Sequence, residues 1–464
     1  MSSCVSPPAW EQRHLRDFVT KLVDGSHNPP AKQEAGHPML SARNVEQGRI
    51  VFEGFRFISN EAFVIENART RIAPGDVLLT IVGTIGRSAV VPEGIGPFAL
   101  QRSVAVLAPK PDLLPKFLSY QLQSPRIQRH FEANARGTAQ KGVYLKTLGE
   151  TPIVVPPLGE QRDLVAEIEK QFSRLDEAVA SLKRVKANLK RYKAAILKAA
   201  VEGRLVPTEA ELARREGRSF ETGAQLLQRI LGTRRSQWQG KYGQPTLPGD
   251  LEDFDLPVGW TWITVSQLLS ERIVNGLSVK ESVVPTATKA LRLSAMTEFG
   301  LDYQDFRYLP IEPERVSDIV VREGDFFVSR GNGSLKLVGR GSRAQAPTHD
   351  VIFPDTMMRV RFTATADVDA WVQAIWSARL VRTQVEARVK TTAGIYKIAQ
   401  PELASITLPL PPLTEQHRIV AEVDRLLSIA REAEAEVDTN LKRAQGLRQG
   451  ILAAAFSPGT GVPS

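Results

Sequence analysis

An internal repeat limits this chain more than any other feature. Pro156-Pro157-Leu158-Gly159-Glu160-Gln161 returns as Pro411-Pro412-Leu413-Thr414-Glu415-Gln416, 255 positions later. The match continues without a gap, so that Leu164, Val165, Ala166, Glu167 and Ile168 fall on Ile419, Val420, Ala421, Glu422 and Val423, and Ile196-Leu197 falls on Ile451-Leu452. A unit used twice must pack in a way that both copies satisfy.

Each copy reads as a long helix. The paired prolines fix the chain just before some 40 residues that lack proline and place apolar side chains at steps of three and four. The first stripe comprises Val165, Ile168, Phe172, Leu175, Val179, Leu182, Val185, Leu189, Tyr192 and Ile196, with a slip of heptad phase between Leu182 and Val185. The second comprises Val420, Val423, Leu427, Ala430, Ala433, Val437, Leu441, Ala444, Leu447 and Ile451. Two such stripes in one chain can bury each other as an intramolecular coiled coil, and helices of this length span roughly 66 Å, enough to act as spacers.

Each helix is preceded by a globular-looking segment, Trp10 to Pro156 and Trp260 to Pro411. Gly75-Asp76-Val77-Leu78-Leu79-Thr80 resembles Gly324-Asp325-Phe326-Phe327-Val328-Ser329, a Gly-Asp turn opening an apolar strand in both. Gly137 to Tyr144 is echoed by Thr391 to Tyr396, small and basic enough either to lie along a phosphate backbone or to be an ordinary connecting loop. Between the halves, Glu209 to Arg215 and Gln225 to Leu231 read as two short helices, and the residues after Phe456 as a disordered tail.

Sixty Lys and Arg against 51 Asp and Glu leave a formal charge of +9, which favours a polyanionic partner. The single cysteine, Cys4, supports neither a disulfide framework nor a thiolate metal site. With no secretory leader and no apolar run of membrane-spanning length, the expected location is the cytoplasm. No common catalytic constellation emerges. Asn28-Pro29-Pro30 is followed by Ala31, where an amino-methyltransferase loop needs an aromatic ring. Gly331-Asn332-Gly333-Ser334-Leu335-Lys336 lacks the third glycine of a dinucleotide loop and reads as a turn between strands. Pro111-Asp112 and Pro354-Asp355 have no acidic-x-Lys partner nearby downstream, and the six histidines show no ligand spacing.

Taken together, these motifs resemble the specificity subunits of type I restriction-modification systems. The resemblance rests on the doubled Pro-Pro-Leu-x-Glu-Gln motif at each helix start and on Leu256-Pro257-Val258-Gly259-Trp260-Thr261-Trp262. Asp24-Gly25-Ser26-His27-Asn28-Pro29-Pro30 with Leu40-Ser41-Ala42-Arg43-Asn44, and Ala199-Ala200-Val201-Glu202-Gly203-Arg204-Leu205, add to it. It covers Trp10 to Phe456 and implies an α+β fold: two α+β target recognition domains separated by an antiparallel pair of long coiled-coil helices, with internal pseudo-twofold duplication. The implied organisation is a first target recognition domain over 1–155, a central long helix over 156–206, and a helical linker over 207–255. A second recognition domain over 256–408, a C-terminal long helix over 409–456 and a tail over 457–464 complete it.

The same resemblance implies a non-catalytic DNA-specificity subunit for a bipartite, asymmetric site. Its partners would be double-stranded DNA, two modification (methyltransferase) subunits that methylate adenine at N6, and ATP-dependent restriction subunits. The chain itself would hold no cofactor, with S-adenosylmethionine, ATP and Mg on the partners. Because Arg and Lys suit guanine and Asn and Gln suit adenine, the candidate DNA contacts are His27, Asn28, Arg43, Asn44, Gln140 and Lys141 in the first half. In the second they are Asn275, Lys280, Arg292, Arg330, Asn332 and Lys336. Glu160, Gln161, Glu415 and Gln416 are candidate partner contacts. Lys183, Arg184, Lys186, Lys190, Arg191 and Lys193 form a basic run that suits a solvated face, gap DNA or an acidic partner surface. The alternative function is a stand-alone, sequence-specific DNA-binding regulator.

Overall fold

The computed structural model describes residues 10, 12–137, 140–249, 254–297, 300–363, 368–392 and 394–457. Cys4, the Thr138-Ala139 part of the first candidate loop, Ala393 of the second, and the tail from 458 onward lie outside them. The chain divides into two compact units, Met1–Arg184 with Val437–Ser464, and Val185–Glu436.

At the centre of the first unit is a four-stranded antiparallel sheet. Its strands are ordered Val19–Asp24, Val104–Pro109, Val77–Thr80 and Ser88–Val90. Successive side chains of a strand point to opposite faces, and here both faces are covered. Val77, Leu79, Ala105 and Leu107 pack with Phe117, Leu118, Leu122, Ile127 and Phe131 from the helices Pro115–Gln123 and Pro125–Asn134. Leu78, Val104 and Val106 pack on the other side with Leu40, Val45, Phe98 and Leu100. That second layer includes a small sheet in which His37–Leu40 runs beside Arg56–Ile58 and, in parallel, beside Ala99–Leu100.

The second unit repeats this plan with Val274–Asn275, Met357–Val360, Phe326–Ser329 and Gly341–Arg343. Phe326 and Val328 face Trp371, Val372 and Ile375, while Phe327 faces Leu291 and Phe353. In both units the first strand pairs with the last: Gln12–His14 with Pro152–Val154, and Thr261–Thr264 with Thr407–Leu410. The described part of 207–255 folds into the second unit. Its helices Glu209–Glu216 and Gly223–Gln237 begin at capping boxes on Thr208 and Thr222, and Leu226 and Ile230 enter the core.

The two long helices run Leu158–Val201, 44 residues, and Leu413–Ala455, 43 residues. They pair antiparallel within each unit. In the first, Val165, Ile168 and Phe172 share a core with Leu452 and Phe456, Arg448 bonds Asp176 at 3.0 Å, and the Arg448 guanidinium lies 3.9 Å from the Phe172 ring centroid. In the second, Ile196, Ala200 and Val201 share a core with Ile419 and Val423, and Lys193 reaches Glu434 at 2.7 Å. One member of the basic run is therefore engaged inside the helix pair.

Along the second helix the buried positions Val423, Ala430, Val437 and Ala444 step by seven, as a coiled-coil seam requires. The seam is narrower than the sequence stripe. Val185 and Tyr192 are 43% and 44% exposed and Leu447 is 59% exposed, because a lone partner helix covers one edge and leaves the flanking positions in water.

Candidate nucleic-acid interface

Antiparallel register brings the ends of all four central strands together at one edge of the sheet. Asp24 ends its strand opposite Ala105, and Thr80 ends its own opposite Val104. The following loop turns back through Gly25, where an added Cβ would lie 2.2 Å from the Leu100 carbonyl oxygen. Only glycine fits that crossing. Ser26 then donates its amide to the Leu100 carbonyl at 2.8 Å, and Arg102 donates its amide to the Ser26 carbonyl at 2.9 Å. Residues 75 positions apart in sequence thus meet on one surface.

The chemistry at this edge is charged and ordered. Asp24, 7% exposed, accepts from His27 Nε2 at 2.8 Å and from Arg69 Nη2. Both partners line a cleft of 410 Å³, together with Arg102, Gln140 and Tyr144. Gln140 and Lys141 are exposed, and the Lys141 carbonyl is held by the Gly83 amide at 3.1 Å. Arg43 is exposed on a short turn tied to the same edge through a bond from the Ala42 amide to Ser103 Oγ at 3.0 Å. Asn28 is exposed in the loop that follows.

Asn44 belongs to the interior. It is 1% exposed, donates to the Val51 and Glu53 carbonyls at 2.9 and 2.8 Å, and accepts from the Ser41 amide at 3.0 Å. Its amide is saturated by backbone, so the expectation of a base contact there is replaced by a loop-holding role.

In the second unit the corresponding edge carries two clefts that share Leu293 and Ser294. Lys280, Arg292, Arg307, Asp355 and Thr356 line one of 590 Å³, and Ser329, Asn332 and Arg340 line one of 280 Å³. Lys280 and Lys336 are exposed. Arg292 is already paired with Glu281 at 2.5 Å and Asp305 at 3.7 Å. Arg330 donates to the Asp355 carbonyl at 3.3 Å, and Asn332 Oδ1 accepts from the Ser334 amide at 3.0 Å. Asn275 is half-buried, its Oδ1 enclosed and, among the described residues, without a hydrogen-bond partner. Arg102, Arg69, Arg307, Arg340 and Asp355 were not among the sequence candidates. The signal available for them was a second repeat, Val23-Asp24-Gly25-Ser26 against Val274-Asn275-Gly276-Leu277, which marks the same glycine crossing in both halves.

The motif residues at the helix starts look inward. Gln161, fully buried, donates to the Pro156 and Asp112 carbonyls at 2.7 and 2.8 Å and accepts from the Leu114 amide at 2.8 Å. Gln416 repeats the first of these with Pro411 at 2.8 Å. Glu160 accepts from the Trp10 indole at 2.9 Å, and Glu415 accepts from the Trp260 indole at 3.0 Å and the Glu209 amide at 2.8 Å. Burial pushes the Glu415 carboxyl above its ordinary range. Burial would raise Glu209 too, but hydrogen bonds from Arg418 and Arg218 hold it low. In this conformation Gln161, Glu415 and Gln416 fasten each helix start to its own unit and present no side chain to a partner.

Among the described residues no group of three or more His, Cys, Asp or Glu could hold a metal ion, and no helix is long and apolar enough to cross a membrane.

A duplicated α+β protein, with one polar sheet edge per unit and a long helix closing each, is the class that fold and surface define. In sequence the chain is similar to the type I restriction-modification specificity subunits. The sequence profile of the type I restriction modification DNA specificity domain matches residues 7–191. Among curated relatives, the EcoKI specificity subunit of Escherichia coli K12 is 24% identical over 425 residues, covering 90% of this chain and 81% of that protein. The StySPI specificity subunit of Salmonella potsdam is 22% identical over 424 residues, with the same coverage of 90% and 81%. A chain from a solved structure concerned with complex assembly and conformational transition of the type I R-M system shares the fold, with a TM-score of 0.64 at 19% identity over 97% of this chain and 98% of that one.

Proposed function

We propose that this chain is the DNA sequence-specificity subunit of a type I restriction-modification complex and performs no chemistry itself. In this reading, 1–155 and 256–408 each read one half of a bipartite, asymmetric site through the sheet edge described above. The long helices at 156–206 and 409–456 set the gap. The segment 207–255 joins the halves and 457–464 is a tail. Two modification subunits, holding S-adenosylmethionine, methylate adenine at N6, and restriction subunits driven by ATP and Mg cut DNA at sites left unmethylated. The complex works in the cytoplasm.

The observation that carries the reading is the sheet edge itself, built twice on one backbone plan and furnished with different polar side chains each time. Shared backbone with divergent side chains is what reading two unlike half-sites asks for, since phosphate contacts position a protein and base contacts specify. His27, Arg43, Gln140 and Lys141, and Lys280, Arg292, Arg330, Asn332 and Lys336, remain the proposed contacts, with Asn28 and Asn275 beside them. The test is to map methylated adenines in cells that express the modification subunits with and without this chain. A split motif with a fixed gap, present only with the chain, is the expected result; sequence-specific binding by the chain alone, with no change in methylation, would instead identify a stand-alone regulator. Lengthening the first helix by one heptad should lengthen the gap or abolish methylation, and an unchanged motif would remove the helices from the reading mechanism.

A further inference from the structure

The glycine crossing assigns the same place in the two units to a pair of side chains of opposite charge. At Gly276 an added Cβ would lie 2.1 Å from the Phe353 carbonyl oxygen, matching the 2.2 Å between Gly25 and Leu100. The Leu277 amide donates to the Phe353 carbonyl at 3.1 Å and the Asp355 amide to the Leu277 carbonyl at 3.1 Å, the same two bonds that Ser26 and Arg102 make in the first unit. Ser26 with Gln101 and Leu277 with Pro354 form the corresponding parallel bridges. Arg102 and Asp355 therefore stand on equivalent rungs, each pinned by backbone hydrogen bonds at the entrance to a central strand.

Each side chain faces a cleft on that edge. Arg102 is exposed beside His27 and Gln140, while Asp355 is half-buried beside Lys280, Arg292 and Arg307. Among the described residues neither takes part in an ion pair. A carboxylate on a DNA-facing edge is repelled by phosphate, so its place among three cations suits a base amino group and not the backbone. It only accepts hydrogen bonds, which fits the cytosine N4 amino group, whereas a guanidinium donates two parallel bonds to guanine O6 and N7.

We propose that Arg102 and Asp355 are specificity-determining residues at one equivalent position of the two units, Arg102 taking a guanine in one half-site and Asp355 a cytosine in the other. This rests on the DNA-specificity reading above. Two cognate residues at one structural position would make that rung the place where the half-sites are told apart.

The test uses the full chain assembled with its modification subunits, scoring methylation over a library randomised at every position of the target. R102A should lose about tenfold to a hundredfold of its discrimination at one guanine in one half-site, leaving the other half-site unchanged. D355A and the isosteric D355N should do the same at one cytosine in the opposite half-site. R102Q should move preference at its position from guanine towards adenine, a change that loss of folding does not produce. Uniform weakening over all sequences with a reduced salt slope would make Arg102 a phosphate contact and overturn the assignment. An unchanged target in all four variants overturns it too, with the DNA-specificity reading intact. A wild-type complex that methylates no split site removes that reading and this inference with it.

Discussion

The central sheets of the two units share strand order and differ in what closes their buried carboxylates. In the first, Asp76 follows Gly75, caps the Ala73 amide at 2.8 Å and meets Lys21 Nζ at 2.6 Å, and the lysine side chain keeps 20% of its surface in water. In the second, Asp325 follows Gly324, caps the Arg322 amide at 2.9 Å and takes Arg361 through Nε at 2.5 Å and Nη2 at 3.1 Å. Arg361 and Arg359 then share Glu271. Arg359 is 3% exposed at the place where the first unit has Val106, wholly buried. Burial, reinforced by Arg361, pushes the Arg359 pKa down. The backbone plan thus tolerates a charge network in one copy and a hydrocarbon interior in the other. A lysine on a flexible stem can withdraw to solvent when its partner goes; Arg361, its side chain 17% exposed, is held by Glu271 as well and leaves less readily.

The sharpest way to break this comparison is to remove both carboxylates. Asp325→Ala removes both hydrogen bonds to Arg361, leaves Glu271 as the carboxylate shared by Arg361 and the buried Arg359, and should destabilise the second unit by about 3–5 kcal/mol. Asp76→Ala should cost about 1–3 kcal/mol, because Lys21 swings outward and chiefly the cap is lost. Denaturant unfolding measures both, and equal losses would show that the lysine is as trapped as the arginine. A second test asks where the copies should agree. Gly25→Ala and Gly276→Ala both force a methyl into a carbonyl oxygen, and each should cost about 1–3 kcal/mol as overpacking does. Unlike penalties would mean that the crossings are not equivalent.

The smallest expected effect is on pH. Burial lowers the pKa of His130 in the first unit from the ordinary 6.5, and burial with Lys289 nearby lowers that of His349 in the second. A histidine held below its unfolded value favours the neutral folded form, so its stabilising contribution is present above pH 6.5 and fades as pH falls through that value. Melting temperatures compared between pH 7.5 and 5.5 should fall less in His130→Asn and His349→Asn than in the parent. A parent slope unchanged by either substitution would locate the acid sensitivity elsewhere.

The helix pair and the duplication were legible because they are written in neighbouring residues: paired prolines stop one element and a seven-residue apolar rhythm runs the next. The Gly75-Asp76 and Gly324-Asp325 turns were legible for the same reason. The sheet edge was not. Arg102 lines the same cleft as His27 only because Ser26 bridges Gln101, and no local periodicity reports a meeting of loops so far apart in sequence. Asn44 looked like a base reader by residue type, yet burial and three backbone bonds define it, and neither is visible in a string of letters. Val185, Tyr192 and Leu447 fitted the apolar stripe, but seam width depends on how many neighbours cover a helix. The doubled Glu-Gln motif suggested outward contacts, whereas Trp10 and Trp260 draw the glutamates inward across 150 and 155 positions.

Those two indole clasps, together with the pairing of first strand to last, bring the beginning and end of each recognition segment side by side. A segment whose ends adjoin can be lifted out and replaced by another of different content without disturbing what it is attached to. The clasp residues would then act as a universal joint in the gene: any cassette that supplies a tryptophan at its start and meets the glutamate of the following helix can be seated.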